Sequence, residues 1–291
     1  MPDLPRELVL PEGLISGPRP TPAEVATPKD AATVILLRDL SDGDTDGDTD
    51  VEVFLQHRVA GMPFAGGMTV FPGGGVDRRD SASVAWAGPP PSWWGQRFRC
   101  DETLAQTLVC TAVRETFEES GVLLAGPDEH SVVADAARYH DARTALVARE
   151  LSMARFLADA DLVLRADLLR PWAHWVTPVE EPRRYDTRFL LAALPAGQHA
   201  DGVTSEAEAT GWQTPRAALA DWLAGRRWLM PPTWYTLTEL TEHRTVDDLL
   251  AAADVRVIER IEPRVVRDED GLRVVLPGDP RHADAANHLD P

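Results

Sequence analysis

Cysteine is scarce: Cys100 and Cys110 are the only two in 291 residues. Two thiols cannot build a disulfide framework or a four-cysteine zinc site, so a reducing compartment is the default expectation. Lysine is scarcer still, since Lys29 is the single one and arginine carries the remaining basic charge. Basic residues as a whole are outnumbered, 29 Lys and Arg against 47 Asp and Glu, for a formal charge of −18. That deficit argues against duplex nucleic acid and an anionic membrane as principal partners, because both need a basic face. A phosphate-bearing ligand would need its countercharge from a metal ion and a local arginine cluster. No apolar run approaches the roughly 18 residues of a spanning helix. Met1–Arg6 carries no signal-peptide pattern, and His288-Leu289-Asp290-Pro291 is no peroxisomal address. A soluble, cytoplasmic protein is expected.

What is present suits a globular chain: 44% of residues are hydrophobic and 26% charged, too apolar for wholesale disorder. Residues 1–30 are proline-rich and read as an extended arm with a short strand at most. Thr33–Arg38 and Val51–His57 are β-rich runs. Between them, Asp42-x-Asp44-x-Asp46-Gly47 matches the opening of an EF-hand calcium loop. Its twelfth position is Val53 instead of a bidentate glutamate, and its flanks read as strands, so a solvated hairpin loop is the preferred reading. A glycine-dense turn follows at Gly66–Gly75, then an aromatic-rich stretch, 81–100, with Trp86, Trp93, Trp94 and Phe98. Core packing is preferred for these rings over a wall for an acyl chain or adenine.

Asp101 as N-cap, Glu102 in the first turn and Gly121 past the end delimit a strong helix. Residues 130–165 read as further helices, and Trp172–Pro178 and Tyr185–Ala193 as strands. A helix starts at Thr214-Pro215, with two more near 233–242 and 246–253. Ile261–Leu276 suggests a hairpin, and 281–291 a loose tail. No long linker divides the chain, so one elaborated α/β domain over 31–280 is expected.

The chemistry-bearing segment is Arg114-Glu115-Thr116-Phe117-Glu118-Glu119-Ser120-Gly121. Glu115, Glu118 and Glu119 share one helix face, while Val109, Val113 and Phe117 form an i, i+4, i+8 stripe on the other. Arg114 lies four residues before Glu118 and can hold its carboxylate. Clustered carboxylates repel unless something positive sits among them, and hard divalent cations want such oxygen ligands. On these residues alone, a metal site and a solvated acidic face both stay open.

With the glycine segment Pro72-Gly73-Gly74-Gly75, the helix resembles the Nudix box, Gly-x5-Glu-x7-Arg-Glu-U-x-Glu-Glu-x-Gly-U, where U is aliphatic. Gly74 fits the first glycine, and Arg114, Glu115, Glu118, Glu119, Gly121 and Val122 fit the second half. Asp80 stands where the first glutamate is expected, and Thr116 takes an aliphatic place. Between Asp80 and Arg114 lie 33 residues where the pattern has seven. A box split there looks like the coenzyme A diphosphatase-like branch of Nudix proteins. Tyr185-Asp186-Thr187-Arg188-Phe189 and Pro231-Pro232-Thr233-Trp234 extend the likeness. The coenzyme A motif of bacterial and fungal relatives fits at Gly67, Phe71, Pro72, Gly73 and Gly74, but Pro63 replaces its arginine.

The resemblance implies a Nudix-type α/β/α sandwich with a mixed sheet plus helical insertions. It implies metal-dependent hydrolysis of a nucleoside diphosphate linked to another moiety, with Mg²⁺ or Mn²⁺. Coenzyme A or acyl-coenzyme A is the foremost substrate; ADP-ribose, NADH, a dinucleoside polyphosphate, or a non-catalytic ligand sensor are the alternatives. By motif position the metal ligands would be Glu115, Glu118, Glu119 and the carbonyl of Gly74, with Arg114 positioning the carboxylates. The position of Asp80 is more structural than catalytic in the family. The general base varies, and a box glutamate, Glu206 and Glu208 are all open. Arg58, Arg183, Arg184 and Arg188 are candidates for substrate contact, the last three with surface pairing to Glu180 and Glu181 as the alternative. The partner implied is a small nucleotide; a homodimer is left open.

Overall fold

Apolar residues that run almost unbroken through Val34–Leu37 and again at Val53–Leu55 are what a strand buried on both faces requires. The computed structural model describes residues 7–10, 24–40, 51–61, 65–203, 207–269 and 271–285. The Asp42–Asp50 repeat with its calcium-loop question, Pro63 and the candidate base Glu206 lie outside the described residues.

Strands β1 (Val9–Leu10), β2 (Lys29–Asp39), β3 (Val51–Arg58), β4 (Thr69–Val70), β5 (Gly73–Gly75) and β6 (Trp86–Ala87) precede helices α1 (Pro91–Phe98) and α2 (Glu102–Ser120). After β7 (Ala125–Gly126) come α3 (His140–Val147), α4 (Met153–Asp159), β8 (Val163–Arg165), β9 (Leu169–Val176), β10 (Tyr185–Ala193) and β11 (Ala207–Gln213). Helices α5 (Pro215–Leu223), α6 (Pro231–Leu240) and α7 (Val246–Val255) follow, then β12 (Arg260–Ile261), β13 (Arg264–Asp268), β14 (Gly271–Val275) and α8 (Pro280–Ala285).

The main sheet has the order β11-β3-β2-β10-β9-β12, with β4 added to β3 and β5 to β2. It is mixed: β10 runs parallel to β2, whereas β3 and β5 run antiparallel to it. Strand alternation divides β2 between two cores. Ala32, Val34 and Leu36 pack with α1, α2 and the helical segment after it, while Ile35 and Leu37 pack with α5, α6 and α7. This is the expected α/β/α sandwich.

The insertion is built into the first core. Trp94 and Phe98 are buried, and Trp86 and Trp93 pack partly buried against the same cluster. The Trp93 and Trp94 rings meet edge-on with centroids 4.9 Å apart, and the Trp86 indole N–H donates to the Pro89 carbonyl at 2.8 Å. The rings therefore serve packing, as expected. The arm carries the short strand its sequence allows, whereas the tail is more ordered than its sequence suggests. Val9 and Leu10 of the arm pair with Arg273 and Leu272 of β14. The stretch expected to be a loose tail begins as α8, where the Asp279 carboxylate accepts from the Arg281 backbone N–H at 2.9 Å.

Candidate active site

Helix α2 is delimited by its own sequence. Asp101 accepts from the Leu104 N–H at 2.9 Å, and Gly121 takes a φ of 75° that ends the helix in the left-handed region. The Val109, Val113 and Phe117 stripe is buried in the core shared with the sheet. Thr107, Thr116 and Ser120 satisfy their hydroxyls on carbonyls four residues back, at 2.7, 2.7 and 2.6 Å. That back-bonding lets Thr116 occupy a buried place where the family pattern has an aliphatic residue.

The glycine turn and the acidic end of α2 meet. The Gly73 N–H donates to Glu119 Oε2 at 2.8 Å, and Arg114 Nη2 donates to the Gly75 carbonyl at 3.0 Å. A Cβ on Gly74 would lie 2.6 Å from Glu115 Oε1. The carboxylate occupies the space that a side chain at 74 would need, so any larger residue there would displace Glu115.

Arg114 is the hub of the site. Its Nε and Nη2 donate to Asp80 at distances between 2.9 and 3.1 Å. Its Nη1 lies 2.7 Å from Glu115 and 3.3 Å from Glu118. The Asp80 side chain is only 1% exposed and accepts further bonds from Thr111 Oγ1 at 2.9 Å and the Asp77 N–H at 3.1 Å. One methylene shorter than glutamate, it reaches Arg114 from a 3₁₀ turn, Arg78–Ser81.

Electrostatics set this end of α2 apart. Glu115 and Glu118 retain 12% and 14% of their side-chain exposure. Burial pushes Glu115 up to about 7 despite the adjacent Arg114 charge, and it raises Glu118 in the same way. Burial also opposes the charge on Arg114, but the carboxylates of Glu115, Asp80 and Glu118 outweigh it and raise the guanidinium. The last turn of α2 has no basic residue of its own. Arg143 on α3 supplies one from outside, with Nε on the Glu118 carbonyl at 3.0 Å and Nη1 on Asp201 at 2.8 Å. A Cβ on Gly121 would come within 2.8 Å of Arg143 Nη1, a second reason for glycine there.

The other candidates are dispersed. Arg58 ends β3, on the same strand face as Gln56, and pairs in register with Ala207, the residue after Glu206. Glu208 is exposed at an irregularity in the β11–β3 ladder. The arginines after the box do not form the expected basic cluster. Arg183 is exposed. Arg184 is buried, donating to the Thr177 and Ala26 carbonyls at 3.0 and 2.8 Å and to Glu262 at 2.8 Å. Arg188 is buried beneath α1, paired with Asp186 and 3.4 Å from the Phe98 carbonyl. Burial lowers its pKa. These two tie chain segments together: Arg184 joins the segments around Ala26, Thr177 and Glu262, and Arg188 sits across β2 from the glycine turn, in register with Ala32, which pairs with Gly74. Glu180, their expected surface partner, pairs with Arg264.

Three contributors escape a motif reading: Thr111, Arg143 and Gln56. Gln56 had a signal, a polar residue at an inward position of an apolar strand. Arg143 had none, being one arginine in an alanine-rich helical stretch.

A family model described as the NUDT19 Nudix domain matches residues 95–240. A Gallus gallus protein named acyl-coenzyme A diphosphatase NUDT19 is 30% identical, over 80% of this chain and 73% of its own. This chain belongs to the Nudix hydrolase family. A Xenopus laevis protein of the same name is 26% identical over 86% of this Nudix chain and 80% of its own. The crystal structure of a Nudix hydrolase from Alicyclobacillus acidocaldarius aligns with a TM-score of 0.61 at 25% identity, covering 80% of this chain and 98% of that one. The family match begins inside the insertion, so the glycine half of the split box precedes it and is joined to it by the contacts above.

Nudix hydrolases generally use divalent metals. Among the described residues, no three His, Cys, Asp or Glu side chains converge to hold an ion, because Glu115 and Glu118 turn to Arg114 while Glu119 turns to Gln56 and Gly73. The donor set nevertheless fits a hard cation. Three carboxylates lie within two helical turns beside a main-chain turn, and burial raises two of them, a strain that added positive charge relieves.

Proposed function

We propose that this Nudix hydrolase cleaves the diphosphate of coenzyme A or acyl-coenzyme A, giving 3′,5′-ADP and (acyl-)phosphopantetheine. The observation that carries the reading is the Gly73–Gly75 turn seated against the acidic end of α2, with the Glu115 carboxylate in the space a Gly74 side chain would fill. Coenzyme A as substrate is supported by the names of the relatives from Gallus gallus and Xenopus laevis.

In this reading Glu115, Glu118, Glu119 and the Gly74 carbonyl hold Mg²⁺ or Mn²⁺. Such ions neutralise a diphosphate and lower the pKa of the attacking water. Arg114 holds Glu115 and Glu118 beside the Gly73–Gly75 turn while Asp80 anchors the guanidinium. Arg58 contacts the diphosphate from the end of β3, and the exposed Arg183 is a second contact. Glu206, Glu208 or a box glutamate takes the proton from water. The catalytic unit is residues 31–280, its box split by 81–100 and elaborated by the helical segment 130–165. Two free thiols, Cys100 and Cys110, suit a reducing, cytoplasmic location; among the described residues no helix is long and apolar enough to cross a membrane.

A panel of coenzyme A, acyl-coenzyme A, ADP-ribose, NADH and diadenosine polyphosphates with Mg²⁺ or Mn²⁺, read by product mass, tests this. Release of 3′,5′-ADP from the coenzyme A substrates is expected. Cleavage confined to the other members would overturn the substrate, and no cleavage at all would overturn the reaction on these substrates.

A further inference from the structure

We propose that Gln56 is a positioning residue for the metal-binding carboxylates, holding Glu119 in place from the neighbouring strand; this rests on the reading of the site given above. Strand β3 is an apolar core strand, with Val51, Val53, Phe54 and Leu55 all buried. Gln56 continues it at 0% exposure, where a primary amide is costly unless its hydrogen bonds are met. Its Nε2 donates to Glu119 Oε2 at 2.9 Å. The Gly73 N–H reaches the same oxygen at 2.8 Å. Two donors, one from β3 and one from β5, thus fix the rotation of a single carboxylate.

The amide is only half used. Gln56 Oε1 is buried and has no hydrogen-bond partner among the described residues. The bond to Glu119 decides which end of the amide is nitrogen, so flipping it would not satisfy the oxygen but would set two acceptors face to face. For core packing alone, leucine would fill a similar volume without an unpaired amide oxygen. What the amide provides in return is the orientation of Glu119. Partners that orient a metal-ligating carboxylate from behind govern metal affinity.

The test uses the full chain. Mn²⁺ binding is measured from free-ion electron paramagnetic resonance for wild type and Gln56→Leu, beside the melting temperature of each without metal. Gln56→Met, unbranched and of similar length, gives the same readout should the branched leucine disturb the strand. The expected result is Mn²⁺ affinity weaker by about 10- to 100-fold in a variant that still unfolds in one cooperative transition without metal. A folded variant that binds Mn²⁺ within about twofold of wild type would overturn the role of Gln56 alone, whatever its melting temperature. A wild-type protein that binds no Mn²⁺ would overturn the reading of the site, and this inference with it.

Discussion

At its N-terminal end α2 follows the helix dipole: Asp101 caps it and Glu102 sits in the first turn. At its C-terminal end Glu115, Glu118 and Glu119 crowd the last two turns, where the dipole disfavours negative charge. The first end is stabilised by its own sequence. The second depends on groups brought from elsewhere: Asp80 behind Arg114, Arg143 from α3, the Gly73 amide and Gln56. An arrangement that costs stability at one end of a helix, and is supported by parts of four other segments, is the signature of a site.

The comparison breaks most sharply at the carboxylates themselves. Glu118→Gln or Glu119→Gln is expected to lower turnover about a thousandfold with the fold intact, whereas Glu102→Gln at the other end leaves turnover unchanged. Steady-state kinetics and circular dichroism check both halves; near-wild-type turnover in Glu118→Gln would remove that residue from the ligand set. Asp80→Ala strands the buried Arg114 and should cost about 3 kcal/mol in a denaturant titration. Gly121→Ala forces a left-handed alanine against the Arg143–Asp201 pair, an expected loss of about 2 kcal/mol. Asp101→Ala should cost only about 1 kcal/mol, the worth of a cap, with turnover unaffected.

A pH titration sharpens the same contrast. Burial lifts Glu115 from 4.5 to about 7 in the fold, so between those values the folded state keeps a proton that the unfolded state releases. The contribution of this group to stability is complete below about 4.5 and is lost as pH rises through about 7. Denaturant midpoints of the metal-free protein should show that loss, and Glu115→Gln should remove it.

The difference between the two ends also marks what the sequence made legible. Caps are local, so Asp101 and Gly121 could be read directly, as could the Val109–Phe117 stripe, because helical spacing alone dictates it. The split box and its acidic face were likewise visible as pattern. The arginines after the box were not, because adjacent residues there diverge: Arg183 is exposed, while Arg184 and Arg188 are buried against Glu262 and beneath α1. Nor could spacing show that Arg143 crosses from a helical insertion to the Glu118 carbonyl. Its contact depends on tertiary packing that leaves no local trace.

Anomalous diffraction from crystals soaked in Mn²⁺ would locate the ion independently of any substrate. The expected result is a peak between the Gly74 carbonyl and the carboxylates of Glu115, Glu118 and Glu119. A bound ion that touches none of those groups would contradict the assignment of this end of α2 as the metal centre.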